Sequence, residues 1–154
     1  MSLYHTRNAD YVGNAKVRVL DAIRPPDDKG PVKFVAVSGI GGVGKTTAVV
    51  EATMEAYDAG LFPGGVFHWT GTASGFESSV RASMKTMPGL EVLVDEKDFD
   101  AVLGAVKGWL SQQPGAWMVV VDNVDGASLF GAAVVSVIPG GSSKVVGVVA
   151  VTTR

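Results

Sequence analysis

Three observations predict a doubly wound α/β fold with a largely parallel sheet. Apolar runs of strand length alternate with segments of helical periodicity along the chain. One such run, Val32–Val37, breaks into a glycine-rich loop, Gly39-Ile-Gly-Gly-Val-Gly-Lys-Thr-Thr47, that opens a helix. Another, Trp117–Val121, ends in Asp122. In open α/β sheets ligands bind outside the carboxyl ends of the strands, where both the loop and the acid fall.

The composition suits one domain with a real core. Of 154 residues, 47% are apolar and only 18% charged, so much of the chain must be buried. Net charge −2 and a pI of about 5.6 argue against bulk electrostatic binding to nucleic acid or to an anionic membrane. Cysteine is absent, which removes disulfides and thiolate metal sites. The N-terminal residues are polar and lack an apolar signal core, and no apolar run approaches the ~20 residues of a membrane span. The reading is a soluble, cytoplasmic chain, with residues 1–31 as a helix and linker and 32–154 as the ligand-binding unit.

The elements follow in order. Over Val12–Ile23, the residues Val12, Ala15, Val19, Leu20 and Ile23 share a helical face, and Pro25-Pro26 ends the helix. Pro25–Pro31 is a connector. Val32–Val37 is, apart from Lys33 near its start, the continuous apolar strand expected at the centre of a parallel sheet. Lys45–Ala59 is a helix with Ala48, Val49, Ala52 and Ala56 inward and Glu51, Glu55 and Asp58 outward, and Gly60 stops it. Pro63-Gly64-Gly65 introduces a strand at Val66–Trp69. Phe76, Val80, Met84 and Met87 mark a helix over Phe76–Met87, closed by Pro88-Gly89. The clearest amphipathic helix is Asp98–Gln112, where Phe99, Val102, Leu103, Val106, Trp109 and Leu110 fall on one stripe. Strands at Trp117–Val121 and Val145–Val151 complete the set. Neither a repeat nor a low-complexity segment is visible.

The loop carries the chemistry. Gly39, Gly44, Lys45 and Thr46 fit G-x-x-x-x-G-K-[ST]. Glycines at 39, 41, 42 and 44 let successive backbone amides, including those of Val43 and Thr47, converge on phosphate oxygens. The following helix adds its positive N-terminal end. Lys45 is placed to reach the β- and γ-phosphates of a nucleotide, and the Thr46 hydroxyl to bind Mg²⁺.

Asp122, at the end of its apolar strand, is the matching acid for the water shell of that Mg²⁺. A buried strand ending in Asp is often only a turn or helix cap. Behind a phosphate loop the metal role is the stronger reading. Asn123 stands beside it where a second acid would be the natural base for an attacking water, and an amide cannot take that proton. Asp125 either substitutes as base or caps the next turn. Arg154, closing Val148-Val-Ala-Val-Thr-Thr-Arg154, either contacts a γ-phosphate or is solvated. His68, next to Trp69, reads as structural.

Together these residues resemble the NB-ARC domain, the nucleotide switch of STAND-class P-loop ATPases in NOD-like immune and cell-death receptors. Tyr11-Val12-Gly13-Asn14 resembles the hydrophobic–hydrophobic–Gly–Arg motif upstream of the phosphate loop, which implies nucleotide contacts from Val12 and Gly13. Val35–Thr47 matches the strand followed by G-x-G-G-x-G-K-T-T, and Trp117–Asp125 the Walker B strand. Ile138–Arg154 resembles the stretch ending in T-T-R, whose arginine senses the γ-phosphate. Two positions depart from the pattern: Asn14 replaces an arginine, and Asn123 replaces an acid, which points away from fast hydrolysis.

The resemblance implies a P-loop NTPase three-layer sandwich that binds ADP or ATP with Mg²⁺. It implies a signalling switch that oligomerises through a full-length receptor and hydrolyses ATP slowly or not at all. It also implies an incomplete sheet. In the family the phosphate-loop strand lies between the arginine-bearing strand and a fifth strand beyond Arg154, followed by closing lobes, so here Val32–Val37 would be an open edge. Two other readings compete. An active P-loop ATPase or small-molecule kinase would carry an Arg-rich lid, yet Thr70–Lys97 holds only Arg81, Lys85 and Lys97 as cations. A degenerate, non-catalytic fragment would fold only marginally.

Overall fold

A computed structural model describes residues 9–27, 32–37, 43–124, 138–139 and 146–153, with 9–15, 43–46 and 153 described by backbone alone. Helix α1 (Ala9–Ile23) precedes strand β1 (Lys33–Val37), helix α2 (Val43–Asp58) and strand β2 (Gly65–Thr70). Helix α3 (Phe76–Ser83), helix α4 (Phe99–Ser111), strand β3 (Trp117–Val124) and strand β4 (Gly147–Thr153) follow. The four strands form one sheet in the order β1-β4-β3-β2, and every neighbouring pair is parallel. The predicted α/β class with a parallel sheet is therefore present.

Helices cover both faces, which gives two separate cores. On one face Val19 and Ile23 of α1 and Ala48, Val49, Ala52 and Ala56 of α2 pack on Val35, Val37, Met118, Val120, Val148 and Ala150. A Lys16–Glu55 ion pair (3.1 Å) ties the two helices at the surface. On the other face Phe76 and Val80 of α3 and Val102, Leu103, Val106 and Leu110 of α4 meet Phe67, Trp69, Trp117, Val119, Val121, Val149 and Val151. The period-2 alternation of strand side chains divides the residues between the two cores. Strand β3, flanked on both sides, is buried continuously from Trp117 to Val121, as its unbroken apolar run requires.

Local chemistry sets the ends of the helices. The Asp98 carboxylate accepts from Asp100 N–H at 3.1 Å and caps α4. After α2, Gly60 takes φ +77°; its N–H donates to Tyr57 O and that of Leu61 to Ala56 O. These two bonds make a Schellman motif, which needs the left-handed conformation that glycine adopts freely. The stop predicted at Gly60 is thus the one observed.

Two elements differ from their predicted form. The helix expected over Phe76–Met87 tightens after Ser83 into a 3₁₀ turn, Met84–Thr86, although all four apolar residues are buried. A second short 3₁₀ turn, Glu91–Leu93, had no periodic signal. Strand β1 is apolar yet not central. It pairs only with β4 among the described residues, and Phe34 (54% exposed) and Ala36 face outward while Val35 and Val37 are buried. The reason is position: β1 ends the sheet order, and the core under α3 and α4 extends no further than β4 along this face, apart from Val32. The central position expected from the apolar run is therefore not the one found among the described residues.

Candidate functional site

All strands run the same way, so the carboxyl ends of β1, β4 and β3 lie side by side at one end of the sheet. Val37, the last residue of β1, is in register with Thr152 of β4. The chain then passes through residues 38–42 and enters α2 at Val43, so the glycine-rich segment joins a strand end to a helix N-terminus. Gly44, Lys45, Thr46 and Thr47 occupy the first turns of that helix, whose opening amides, at Val43, Gly44 and Lys45, precede the first intrahelical acceptors. Thr47 is exposed.

Across β4 lies the acid. Asp122 is half-buried at the end of β3, where the β3–β4 register shifts between Val121 and Val124. The shift leaves Asp122 and Asn123 in a bulge, and Asn123 takes φ +64°, a left-handed conformation in which Asn and Asp are enriched. Thr152, 2% exposed, organises the bulge. Its hydroxyl donates to Asp122 Oδ1 and accepts from Asn123 N–H at 2.8 Å. A single buried hydroxyl on the strand next to β1 thus fixes both the carboxylate and the backbone that carries it.

Gly71 closes the site from the far side. Its N–H donates to Asp122 O at 2.6 Å, and a Cβ at Gly71 would lie 2.6 Å from a Val124 methyl. Only glycine allows the chain to cross the end of β3 this closely.

The predicted site residues are therefore distributed as follows. The backbone of Val43, Gly44, Lys45, Thr46 and Thr47 lies at the helix terminus expected of a phosphate loop, and Asp122 lies at the same end of the sheet. Val12 and Gly13 sit within α1. Gly39, Gly41, Gly42, Asp125 and Arg154 fall outside the described residues. Thr152 and Gly71 were not singled out from the sequence. Thr152 opens the stretch Thr152-Thr153-Arg154, where a neutral hydroxyl is less conspicuous than the arginine's charge.

Asp122 supplies a hard oxygen donor, which suits Mg²⁺, an ion that usually takes one or two carboxylates and completes its shell with water and phosphate oxygens. Among the described residues no group of three or more His, Asp or Glu side chains gathers around one point. No described helix is long and apolar enough to cross a membrane. A scan against protein-family models finds no match for this chain, and no curated protein matches it.

Proposed function

We propose that this chain is the nucleotide-binding part of an ADP/ATP switch of the NB-ARC kind. The observation that carries the reading is positional. The G-x-x-x-x-G-K-T stretch joins the end of a parallel strand to the N-terminus of α2, and Asp122 lies near the end of β3, two strands along at the same end of the sheet. Phosphate binding at a helix N-terminus and metal binding at a nearby strand-end carboxylate are the two halves of such a site.

In this reading the loop amides and Lys45 hold the phosphates. Thr46 and Asp122 hold Mg²⁺, which when bound neutralises phosphate charge. Thr152 keeps Asp122 oriented through its hydroxyl. Arg154, one residue beyond β4 in the chain, senses the γ-phosphate, and Asp125, three residues beyond Asp122 in the chain, orients water. With Asn123 beside Asp122, ATP acts more as a ligand that selects a conformation than as a substrate turned over.

Titration of fluorescent ADP and ATP with Mg²⁺, on wild type and Lys45→Ala, tests this. The switch predicts ADP binding that falls at least tenfold, about 1.4 kcal/mol, in Lys45→Ala, with little phosphate release. Rapid turnover would favour the ATPase or kinase reading, and a folded chain that binds neither nucleotide would refute nucleotide binding altogether.

A further inference from the structure

Strand β2 forms the edge of the described sheet opposite β1. Strand β2 pairs with β3 alone among the described residues. In a parallel ladder the amide and carbonyl of alternate residues face the same neighbour. Gly71 N–H points to β3, at Asp122 O, whereas Thr70 N–H turns away to Ser79 Oγ at 2.9 Å. Alternation then aims the peptide groups of Val66 and His68 along the outer edge. At the start of the strand Gly64 N–H, rather than Gly65 N–H, takes Ala116 O, and Gly65 N–H turns back to Phe62 O, so the outer stretch is short and bounded at both ends.

The first half of this edge, Gly65 to Phe67, floors a groove, and His68 lies just beyond it. A cavity of about 650 Å³ opens along it, walled by Met54, Tyr57 and Asp58 of α2 on one side and Trp109 of α4 on the other, with Val66 and Phe67 between. Trp109 is held edge-on to Phe67 (5.6 Å, 86°), and its indole N–H is satisfied by Pro88 O at 3.1 Å. The α2 wall continues as an exposed apolar stripe, Val50, Met54 and Tyr57, at i, i+4 and i+7, with Met54 61% and Tyr57 57% exposed. Asp58 is the single charged residue among those lining the cavity.

We infer that the β2 edge is a docking groove for an extended peptide segment that adds one short strand beside Val66 and His68. The segment places an apolar side chain among Met54, Tyr57, Phe67 and Trp109 and a lysine or arginine against Asp58. The edge specifies an extended main chain, and the aromatic and thioether walls specify an apolar anchor. The lone carboxylate at the rim specifies the sign of the flanking charge.

The test is selection from a phage library of random 12-residue peptides on the full chain. Enriched sequences should share an apolar anchor within an alternating, Lys- or Arg-containing pattern. A synthetic peptide from that pool should lose about tenfold or more in affinity when its alternate amides are N-methylated, because the main-chain bonds are removed. It should lose as much on Met54→Lys, a substitution at an exposed position that leaves the melting temperature unchanged. Asp58→Asn should cost roughly threefold and flatten the salt dependence. The inference is overturned by absence of enrichment or by enriched sequences of helical spacing or acidic charge. It is equally overturned by peptides indifferent to N-methylation or to Met54→Lys.

Discussion

Thr152 is the residue on which the proposed metal side of the site turns. Its hydroxyl is buried, donates to Asp122 and accepts from Asn123 N–H, so one group fixes a side chain and a left-handed backbone together. Thr152→Val keeps the shape and removes both bonds. Losing hydrogen bonds to a carboxylate and to a backbone amide costs about 1–3 kcal/mol, which urea unfolding would measure. The same variant should weaken Mg²⁺-dependent nucleotide binding more than Mg²⁺-free binding, while Thr152→Ser restores both properties. If Thr152→Val unfolds early yet keeps the Mg²⁺ dependence intact, the residue is structural only. Asn123 also gains a second meaning here. Read from sequence it marks a missing base; in the structure it occupies a bulge where its short amide side chain tolerates positive φ.

Among the elements, those built on local rules were the most legible. Helix α4 was expected over Asp98–Gln112, and the structure makes Asp98 its N-cap and Gln112 its C-cap, because cap chemistry and apolar period agree there. Asp98→Ala should therefore destabilise the fold by about 0.5–2 kcal/mol in chemical denaturation, with Asp98→Ser recovering most of it. The end of α2 was equally plain from Gly60. What periodicity cannot encode is tertiary: α3 tightens into a 3₁₀ turn while keeping Met84 and Met87 buried, since a small change of pitch still leaves both on the core side. Strand order is not local either. Val32–Val37 reads as central from its apolar residues, and only its place beside β4 alone exposes Phe34. In the proposed site, Lys45 and Asp122 stand out in the sequence because each is a charge at a motif position. Thr152 and Gly71 act through a hydroxyl and a missing Cβ, which carry no such mark.

At the scale of the whole molecule the proposed ligand would add a tie between α2 and β3, which already pack on each other through Met118 and Val120. Helix α2 packs into one core from Ala48 onward, while Asp122 stands near the end of β3, which is packed into both. A nucleotide held by both ends would bind the folded chain and not the unfolded one, so its binding free energy adds to stability. At a free concentration a hundred times its dissociation constant, the gain is about 2.7 kcal/mol. For a chain of 154 residues, where each kcal/mol moves the midpoint by about 2–4 °C, the melting temperature should rise by about 5–10 °C with Mg²⁺–ADP. Thermal denaturation of wild type and Lys45→Ala with and without Mg²⁺–ADP measures this directly. At the same ligand concentration a tenfold weakening in Lys45→Ala should cut the increment to about half, roughly 3–6 °C, because the stabilisation falls from about 2.7 to about 1.4 kcal/mol. Equal shifts in the two proteins would place the nucleotide somewhere other than the end of α2.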